Sequence, residues 1–257
     1  MSAPDKNLSL YYAILNRRAR NPYFSDKIMS RRLVFLMALS FVVTSVVLVG
    51  TIWAQTNSAP AASGGYTPPA GAPPMIILIG PPLSGKSTFA GQITKAYGIP
   101  SIAAEDLIQE NATELNRLHP EGLALSEMRT DPAMSRYVRG KFKAMDLSQG
   151  VTLDGYPATL VQSEELAKML PDVKMNPLVF QLQLPDDVIR ARAKASGEAS
   201  DSPRIINQRI KDYHREMDGI GYYFPRAKIV AVDVNKPEAE SWKAMQAAMD
   251  QAGIKGK

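Results

Sequence analysis

Apolar residues occur along this chain in two patterns. One is a single uncharged run at 33–54, LVFLMALSFVVTSVVLVGTIWA, and the other is a series of short runs that alternate with stretches of helical spacing. The short runs predict strands at 75–79, 99–103, 151–155, 178–184 and 228–234. The spacing predicts helices at 86–97, from 106, and at 132–145, 160–170, 185–195, 202–224 and 238–252, with an irregular C-terminal part in the helix at 202–224. Strands that alternate with helices run parallel, so we predict an α/β, doubly wound sheet with ligands at its carboxyl edge.

The long uncharged run is a candidate membrane anchor. About 20 apolar residues suffice to cross a bilayer as a helix, and Trp53 stands where an interfacial aromatic residue would anchor the far end. A cleaved signal peptide is the alternative, because Ala59-Pro60-Ala61 resembles a cleavage site. The apolar region of a signal peptide normally spans only ~7–15 residues after a short basic start. We therefore predict a single transmembrane helix at 33–54.

Basic residues are concentrated before this run. Residues 1–32 hold seven Lys and Arg against two acidic residues, and after the run the next basic residue is Lys86. By the positive-inside rule the 1–32 tail is cytoplasmic and the C-terminal domain lies outside, or in the periplasm of a bacterium. Residues 55–74, rich in Pro, Ala and Gly, predict a linker to a domain at 75–257. We therefore expect a single-pass protein of the inner (cell) membrane.

Composition limits the chemistry of the chain. With 45% apolar and 21% charged residues it is globular rather than disordered. With no cysteine it has neither disulfides nor thiolate metal ligands. The tail accounts for the whole net charge of +5, because residues 33–257 hold 23 basic and 23 acidic residues. The domain therefore has no basic excess to suggest a nucleic acid partner.

The strand at 75–79 runs directly into a glycine-rich loop. Gly80-x-x-x-x-Gly85-Lys86-Ser87 fits the phosphate-binding loop pattern, in which glycines let backbone N–H groups close around a phosphate. Lys86 would reach the β- and γ-phosphates, Ser87 or Thr88 would hold Mg²⁺, and the next helix would direct its positive end at the anion. A chance turn is the alternative, but strand, loop and helix occur in the required order. The predicted nucleotide-binding residues of the loop are Gly80, Ser84, Gly85, Lys86, Ser87 and Thr88.

Five segments, in this order and spacing, resemble adenylate kinases and related nucleoside monophosphate kinases. They are Gly80-Pro-Pro-Leu-Ser-Gly-Lys-Ser-Thr88, Leu153-Asp-Gly-Tyr-Pro-Ala-Thr159, Arg209-Ile-Lys-Asp-Tyr213, Gly221-Tyr-Tyr223 and Val234-Asn-Lys-Pro237. The resemblance covers about residues 75–252. It implies a five-stranded parallel sheet with a monophosphate-binding insert and a lid. It also implies phosphoryl transfer from Mg-ATP to a nucleoside monophosphate.

The resemblance further implies roles for the residues around the triphosphate. Lys86 and Ser87 or Thr88 match the residues that contact the triphosphate and the metal. Asp154 matches the carboxylate that the family places near Mg²⁺ through water. ATP and Mg²⁺ are thus the implied ligands. The implied catalytic residues are Lys86, Asp154, Arg192 and Arg209.

The other matched residues concern the base and the acceptor. Arg192 resembles the arginine at the lid edge that packs on the ATP base, and Arg209 resembles the one that contacts the transferring phosphate. Gln162 aligns with the glutamine that reads the adenine of the monophosphate, and Asp106 aligns with the start of the insert helix. Both nucleotides therefore have an implied place in the domain.

The sequence departs from the family pattern where the acceptor would bind. The two arginines that would clamp the phosphate of the monophosphate are replaced by Ala158 and Gln109, and a reduced lid with few basic residues lies between Arg192 and Arg209. Basic residues of the insert region are candidate substitutes, namely Arg129, Arg136, Arg139, Lys141 and Lys143. We expect instead that these residues lie on the outer face of an amphipathic helix.

These observations leave three functions open. The first is a membrane-tethered nucleoside monophosphate kinase. The second is a non-catalytic, kinase-like domain that serves as a structural or docking part of a cell-envelope complex of the secretion type. The resemblance favours the first function, whereas the missing arginines and the expected location outside the cytoplasm favour the second. The third is a nucleotide-binding switch, or a kinase for another small substrate.

Overall fold

The computed structural model describes residues 66–122, 125–197, 202–217, 219–224 and 228–256. Contacts divide the chain into two units, Met1–Ser58 and Ala59–Lys257, and all the described residues belong to the second unit. The predicted tail at 1–32, the predicted span at 33–54 and the linker as far as residue 65 lie outside the described residues. Within the described ranges, no helix is both long and apolar enough to cross a membrane.

Five parallel strands form one sheet. They are β1 (Pro74–Ile79), β2 (Ser101–Ala103), β3 (Val151–Asp154), β4 (Asn176–Gln183) and β5 (Ile229–Asp233). Their order across the sheet is β2-β3-β1-β4-β5, with β1 at the centre. Strands that are adjacent in space but not in sequence require crossover connections, which the intervening helices supply. The α/β architecture with a five-stranded parallel sheet is therefore confirmed.

Nine α-helices connect and cover the strands of the described chain. In chain order they are α1 (Lys86–Tyr97), α2 (Ala104–Glu110), α3 (Ala112–Leu118), α4 (Leu125–Thr130), α5 (Ala133–Ala144), α6 (Leu160–Val173), α7 (Asp186–Ser196), α8 (Pro203–Met217) and α9 (Glu238–Gln251). The insert region predicted from Asp106 is formed by α2, α3 and α4. Because α7 ends at Ser196 and α8 begins at Pro203, only residues 197–202 connect them at the predicted place of the lid.

The helix predicted at 202–224, with an irregular C-terminal part, corresponds to α8. It ends at Met217, and a 3₁₀ turn at Ile220–Tyr222 follows it. At Gly219 a Cβ atom would lie 2.5 Å from Cδ2 of Leu160, so a larger residue there would require the Leu160 side chain to move. The apolar pattern continues past the helix because the turn also packs on the core, where Phe224 is fully buried.

The core has two parts, one on each face of the sheet. Successive side chains of a strand point to opposite faces. Met75, Ile77 and Ile79 of β1 therefore pack with α2, α5 and α6, whereas Ile76 and Leu78 pack with α1, α7 and α9. All five residues are at most 2% exposed. A strand that is buried on both faces has a continuous apolar sequence, which explains the run at 75–79.

The strand register sets the position of the candidate site. Leu78 pairs with Asp154, which also pairs with Ala103 of β2. The carboxylate at the end of β3 thus lies beside the strand that leads into Gly80. The carboxyl edge of the sheet brings the glycine-rich loop and the segment after β3 together.

Candidate functional site

The loop between β1 and α1 requires glycine at two positions. A Cβ atom at residue 80 would lie 2.7 Å from Oγ of Ser84 and 2.9 Å from Cβ of Leu182, so only glycine fits there. Gly85 has a φ of +83°, in the left-handed region, and directly precedes the first residue of α1. The N-terminal N–H groups of α1 have no partners within the helix, so they can bind an anion at the loop.

Leu83 is a feature of the loop that the sequence analysis did not identify. Its φ of +59° also lies in the left-handed region, which costs about 1–2 kcal/mol for a residue with a side chain. Its carbonyl oxygen accepts a hydrogen bond of 2.9 Å from Nη1 of Arg192. Its side chain packs on the α1 side of the core. These contacts hold the loop in a strained shape that a glycine would adopt without cost.

Lys86 folds back over the loop. Its Nζ donates hydrogen bonds of 3.0 Å to the carbonyl oxygens of Gly80 and Pro81, and it lies 3.4 Å from Oγ of Ser84. Burial lowers the pKa of Lys86 from 10.5 to about 8, and Asp154 opposes part of this shift. The charges of Arg129 and Arg209 lower the pKa of Lys86 further. The amine thus lies among other cations, in a place suited to an anion.

An open cleft with about 690 Å³ of empty space lies at the carboxyl edge of the sheet, beside this loop. The end of β1, the loop, the segment after β3, and helices α4 and α8 form its walls. The side chains and backbone that line it include Gly80, Lys86, Arg129, Gly155, Pro157, Ala158 and Arg209. The structure therefore brings together two of the predicted catalytic residues, Lys86 and Arg209, which are far apart in the sequence.

Asp154 and the first residues of α1 could hold a metal ion. Asp154 is 3% exposed at the end of β3, and Ser87 and Thr88 are exposed at the start of α1. Among the residues that the structure describes, no group of three or more His, Cys, Asp or Glu side chains is placed to hold a metal. Mg²⁺ usually binds through one or two carboxylates, waters and substrate phosphates. One hydroxyl and one carboxylate beside a phosphate loop therefore fit this ion.

Arg192 lies outside the main cleft. Its Nη1 donates to the carbonyl oxygen of Leu83, and its Nη2 donates to that of Val234 at 3.1 Å. It thereby joins the phosphate loop to the residue after β5. Arg192 also lines a second recess of about 380 Å³ with Ser84, Gly85, Thr88 and Lys236, among others. This recess begins at the loop. Contact between Arg192 and the base of ATP stays a prediction.

A family model described as Adenylate kinase matches residues 78–229, more than half of the chain. The chain belongs to the adenylate kinase family. The sheet order β2-β3-β1-β4-β5 is typical of adenylate kinases. The match includes the phosphate loop from Gly80, the segment after β3 and the two arginines Arg192 and Arg209.

Individual adenylate kinases are similar to this chain over most of their own length. The protein named Adenylate kinase from Xylella fastidiosa is 32% identical over 168 residues, which are 62% of this chain and 89% of the relative. That from Mesorhizobium japonicum is 28% identical over 173 residues, 62% of this chain and 87% of the relative. That from Methanosarcina barkeri is 26% identical over 209 residues, 68% of this chain and 97% of the relative.

Gln162 does not lie where the adenylate kinase resemblance implies a free amide. Its side chain is 1% exposed. Its Oε1 accepts from the backbone N–H of Ala158, and its Nε2 donates to the carbonyl oxygens of Arg129 and Asp131. In this conformation the amide joins two backbone segments, and both of its N–H donors are used. Contact between Gln162 and an adenine therefore stays a prediction that would require these bonds to break.

The basic residues of the insert region divide into two groups. Four of them lie on α5: Arg136 pairs with Glu114, Lys141 with Glu110, and Arg139 with Glu165 and Asp172, and Lys143 is exposed in the last turn. Arg129 instead lies at the end of α4 and lines the main cleft. The expected placement on an outer helix face is therefore wrong for Arg129. Pro132 was the available signal, since it separates Arg129 from α5.

Proposed function

We propose that this chain binds Mg-ATP at the loop 80–88 and transfers the γ-phosphoryl group to a nucleoside monophosphate. The observation that carries this proposal is the convergence of Lys86 and Arg209 on one cleft at the carboxyl edge of the sheet, beside Asp154. Its relatives named adenylate kinase support it. The phosphate loop alone would indicate only that a nucleotide binds.

Each residue of the cleft has a separate task in this reaction. Lys86 exchanges the carbonyl oxygens of Gly80 and Pro81 for the oxygens of the β- and γ-phosphates. Arg209 stabilises the charge of the phosphoryl group in transit, which is the dominant contribution in phosphoryl transfer. Ser87 or Thr88 and Asp154 would hold Mg²⁺, the last partly through water. When bound, Mg²⁺ neutralises charge between the β- and γ-phosphates. No covalent step on the protein is required.

An assay of the full chain in detergent tests the proposal. ATP is supplied with each nucleoside monophosphate in turn, and formation of the two diphosphates is measured. We expect turnover with at least one monophosphate, and a decrease of about 10²–10³-fold in kcat/KM in Lys86→Met, because charge stabilisation provides most of the catalysis. Lys95→Met is the matched control, since Lys95 is exposed in the last turn of α1. Unchanged turnover in Lys86→Met would contradict the proposal.

A non-catalytic docking role in a cell-envelope complex is the second candidate function. Two positions favour it: Ala158 presents only a methyl group to the cleft, and Gln109 is exposed on α2. An adenylate kinase that cannot hold its acceptor would keep the fold without the activity. ATP-dependent transfer by the purified full chain at rates typical of kinases, about 1–100 s⁻¹, would eliminate this function.

A membrane tether at 33–54 is part of the same proposal. Its support is the uncharged run and the seven Lys and Arg that precede it. In cells with permeable outer layers and an intact inner membrane, we expect added protease to cleave the C-terminal domain. Full protection of this domain under these conditions would place it in the cytoplasm instead.

A further inference from the structure

Arg129 occupies a wall of the cleft that the adenylate kinase resemblance leaves without a cation. It lies at the end of α4, with 23% of its side chain exposed. It lines the cleft together with Lys86 and Arg209, and the same cleft is bounded by Gly155, Pro157 and Ala158. An arginine from the insert region therefore reaches the space that an arginine at residue 158 would have faced.

Three cations meet at the cleft, and the carboxylates of Asp154, Glu105 and Asp212 lie near them. Lys86, Arg129 and Arg209 are close enough that each arginine lowers the pKa of Lys86, and Arg209 also lowers the pKa of Arg129, after burial as the larger cause. Asp154 is the carboxylate that opposes both shifts. Like charges that converge on a partly desolvated site are unfavourable unless an anion joins them. Lys86, Arg129 and Arg209 thus offer donors to a phosphate in this cleft.

The position of Arg129 is fixed by contacts on several sides. Its guanidinium forms an ion pair with Glu105 in the first turn of α2. Its backbone carbonyl oxygen accepts a hydrogen bond of 2.9 Å from Nε2 of Gln162, whose amide also accepts from the backbone N–H of Ala158. The buried amide of Gln162 therefore connects the segment that carries Arg129 to the residue that lacks the expected arginine.

The guanidinium of Arg129 also retains an unused donor. Its Nε is buried and has no hydrogen-bond partner among the residues that the structure describes. A buried donor without a partner is unfavourable by about 1–3 kcal/mol, and more when it is charged. Arginine can bind a phosphate through two parallel N–H donors.

We infer that Arg129 binds the phosphate of the acceptor monophosphate, in place of the arginines missing at residues 158 and 109, and that Glu105 orients it there. The inference rests on the proposed function. The donor phosphates belong to the loop and Lys86, whereas Arg129 comes from the insert and shares its wall with Ala158. Arg129 is therefore assigned to the acceptor rather than to ATP.

Steady-state kinetics of Arg129→Gln test the inference. We expect the KM for the monophosphate to rise about tenfold to a hundredfold, because charge-assisted hydrogen bonds to a phosphate are lost. The KM for ATP should stay within about twofold of the wild-type value. Arg136→Gln is the matched control, since Arg136 is 62% exposed and pairs with Glu114 on the surface. An unchanged KM for the monophosphate in Arg129→Gln, or a larger effect on ATP, overturns the inference.

Glu105→Gln separates binding from a structural role. If Arg129 served only as the partner of Glu105, Arg129→Gln and Glu105→Gln would lower the free energy of unfolding by similar amounts. If Arg129 binds the acceptor, Glu105→Gln keeps the guanidinium but loses part of its orientation, so the KM for the monophosphate should rise, by less than in Arg129→Gln. Ala158→Arg in the Arg129→Gln background should restore at least part of the affinity. If Arg129→Gln does not fold, Arg129→Lys replaces it, and a smaller rise in the same KM is expected.

Calorimetric titration with AMP distinguishes failure of this inference from failure of the proposed function. Binding by the wild type and weaker binding by Arg129→Gln, without turnover, would support the role of Arg129 and contradict the kinase activity. Turnover by the wild type, with equal binding of AMP by the wild type and Arg129→Gln, would support the kinase activity and contradict the role of Arg129. If the wild type binds none of the nucleoside monophosphates tested, both are wrong.

Discussion

Among single residues, Lys86 shows most directly how the fold prepares a side chain for a ligand. Without nucleotide, its ammonium group is satisfied by the carbonyl oxygens of Gly80 and Pro81. These bonds do not fully replace water, because burial still lowers the pKa of Lys86 to about 8. A phosphate anion would stabilise the charged form and raise the pKa again.

This pKa predicts how ATP affinity depends on pH. Below pH 8 Lys86 is already protonated, so binding takes up no proton at this residue. Between pH 8 and the pKa of the bound state, the free protein loses the proton that the complex retains. Affinity should therefore fall by about tenfold per pH unit in this range. Calorimetry at pH 7 and pH 9, in buffers of different ionisation enthalpy, measures both the affinity and the proton uptake.

Lys86→Arg is the control for this pH dependence. The guanidinium of arginine stays charged throughout the range. We expect weaker binding, since the shape of the side chain differs, but a flat profile between pH 8 and pH 9. An equally steep profile in Lys86→Arg would assign the titration to another group.

At the scale of elements, the unit formed by β1, the loop and α1 combines strain with close packing. Leu83 has a left-handed conformation, and Gly80 leaves no space for a methyl group. Arg192 connects this unit to the end of β5 by two hydrogen bonds. These contacts fix the shape of the loop, which lowers the entropic cost of binding a phosphate.

Two glycine substitutions in this unit should have opposite effects. Gly80→Ala places a methyl group 2.7 Å from Oγ of Ser84, so we expect a loss of about 1–3 kcal/mol in the free energy of unfolding and weaker ATP binding. At Gly91, in the exposed part of α1, an added Cβ atom would have no neighbour within 4 Å. Gly91→Ala should therefore raise the free energy of unfolding by roughly 0.5–1 kcal/mol. Denaturant unfolding of both variants measures the difference. Equal stability would contradict the described loop geometry.

Much of this local architecture was predictable from the sequence. The first helix, Lys86–Tyr97, was predicted with its correct ends. Glycines flank it on both sides, and both Gly85 and Gly98 take the left-handed conformation that ends a helix. The strand at 75–79 was recognised because burial on both faces leaves no polar position in β1. The apolar pattern does not give the exact end of α8, since apolar residues beyond Met217 pack on the core from a turn rather than from a helix.

At the scale of the whole molecule, the sheet separates two halves of the core and collects ligand-binding residues at one edge. Lys86 comes from the helix after β1, Asp154 from the end of β3, and Arg209 from α8. None of these elements forms the site alone. Binding of a nucleotide should therefore stabilise the domain as a unit, because the ligand contacts elements that are distant in sequence.

Mg-ATP should raise the melting temperature of the protein accordingly. At a 100-fold excess over Kd, a ligand adds about 2.7 kcal/mol. For a domain of this size each kcal/mol corresponds to roughly 2–4 °C, so the expected shift is about 5–10 °C. Removal of Mg²⁺ with a chelator should reduce the shift, and Lys86→Met should abolish most of it. A full shift in Lys86→Met would mean that ATP binds elsewhere.

The sequence by itself determined the features that arise from neighbouring residues. Strand, loop and helix succeed one another from Met75 to Tyr97 because each depends on local periodicity and on glycine at fixed positions. The motifs that identify the adenylate kinase family are equally local. The uncharged run at 33–54 is also a property of consecutive residues, and its role as a span stays a prediction.

Only the tertiary structure decided which distant side chains share one space. Arg129 enters the cleft because Pro132 separates α4 from α5 and Gln162 holds the intervening backbone. Gln162 is buried because its amide bonds these backbone segments, although the adenylate kinase resemblance implies that it contacts a base. Burial, pKa and the choice of hydrogen-bond partner depend on the complete packing around a residue, and no local pattern encodes them.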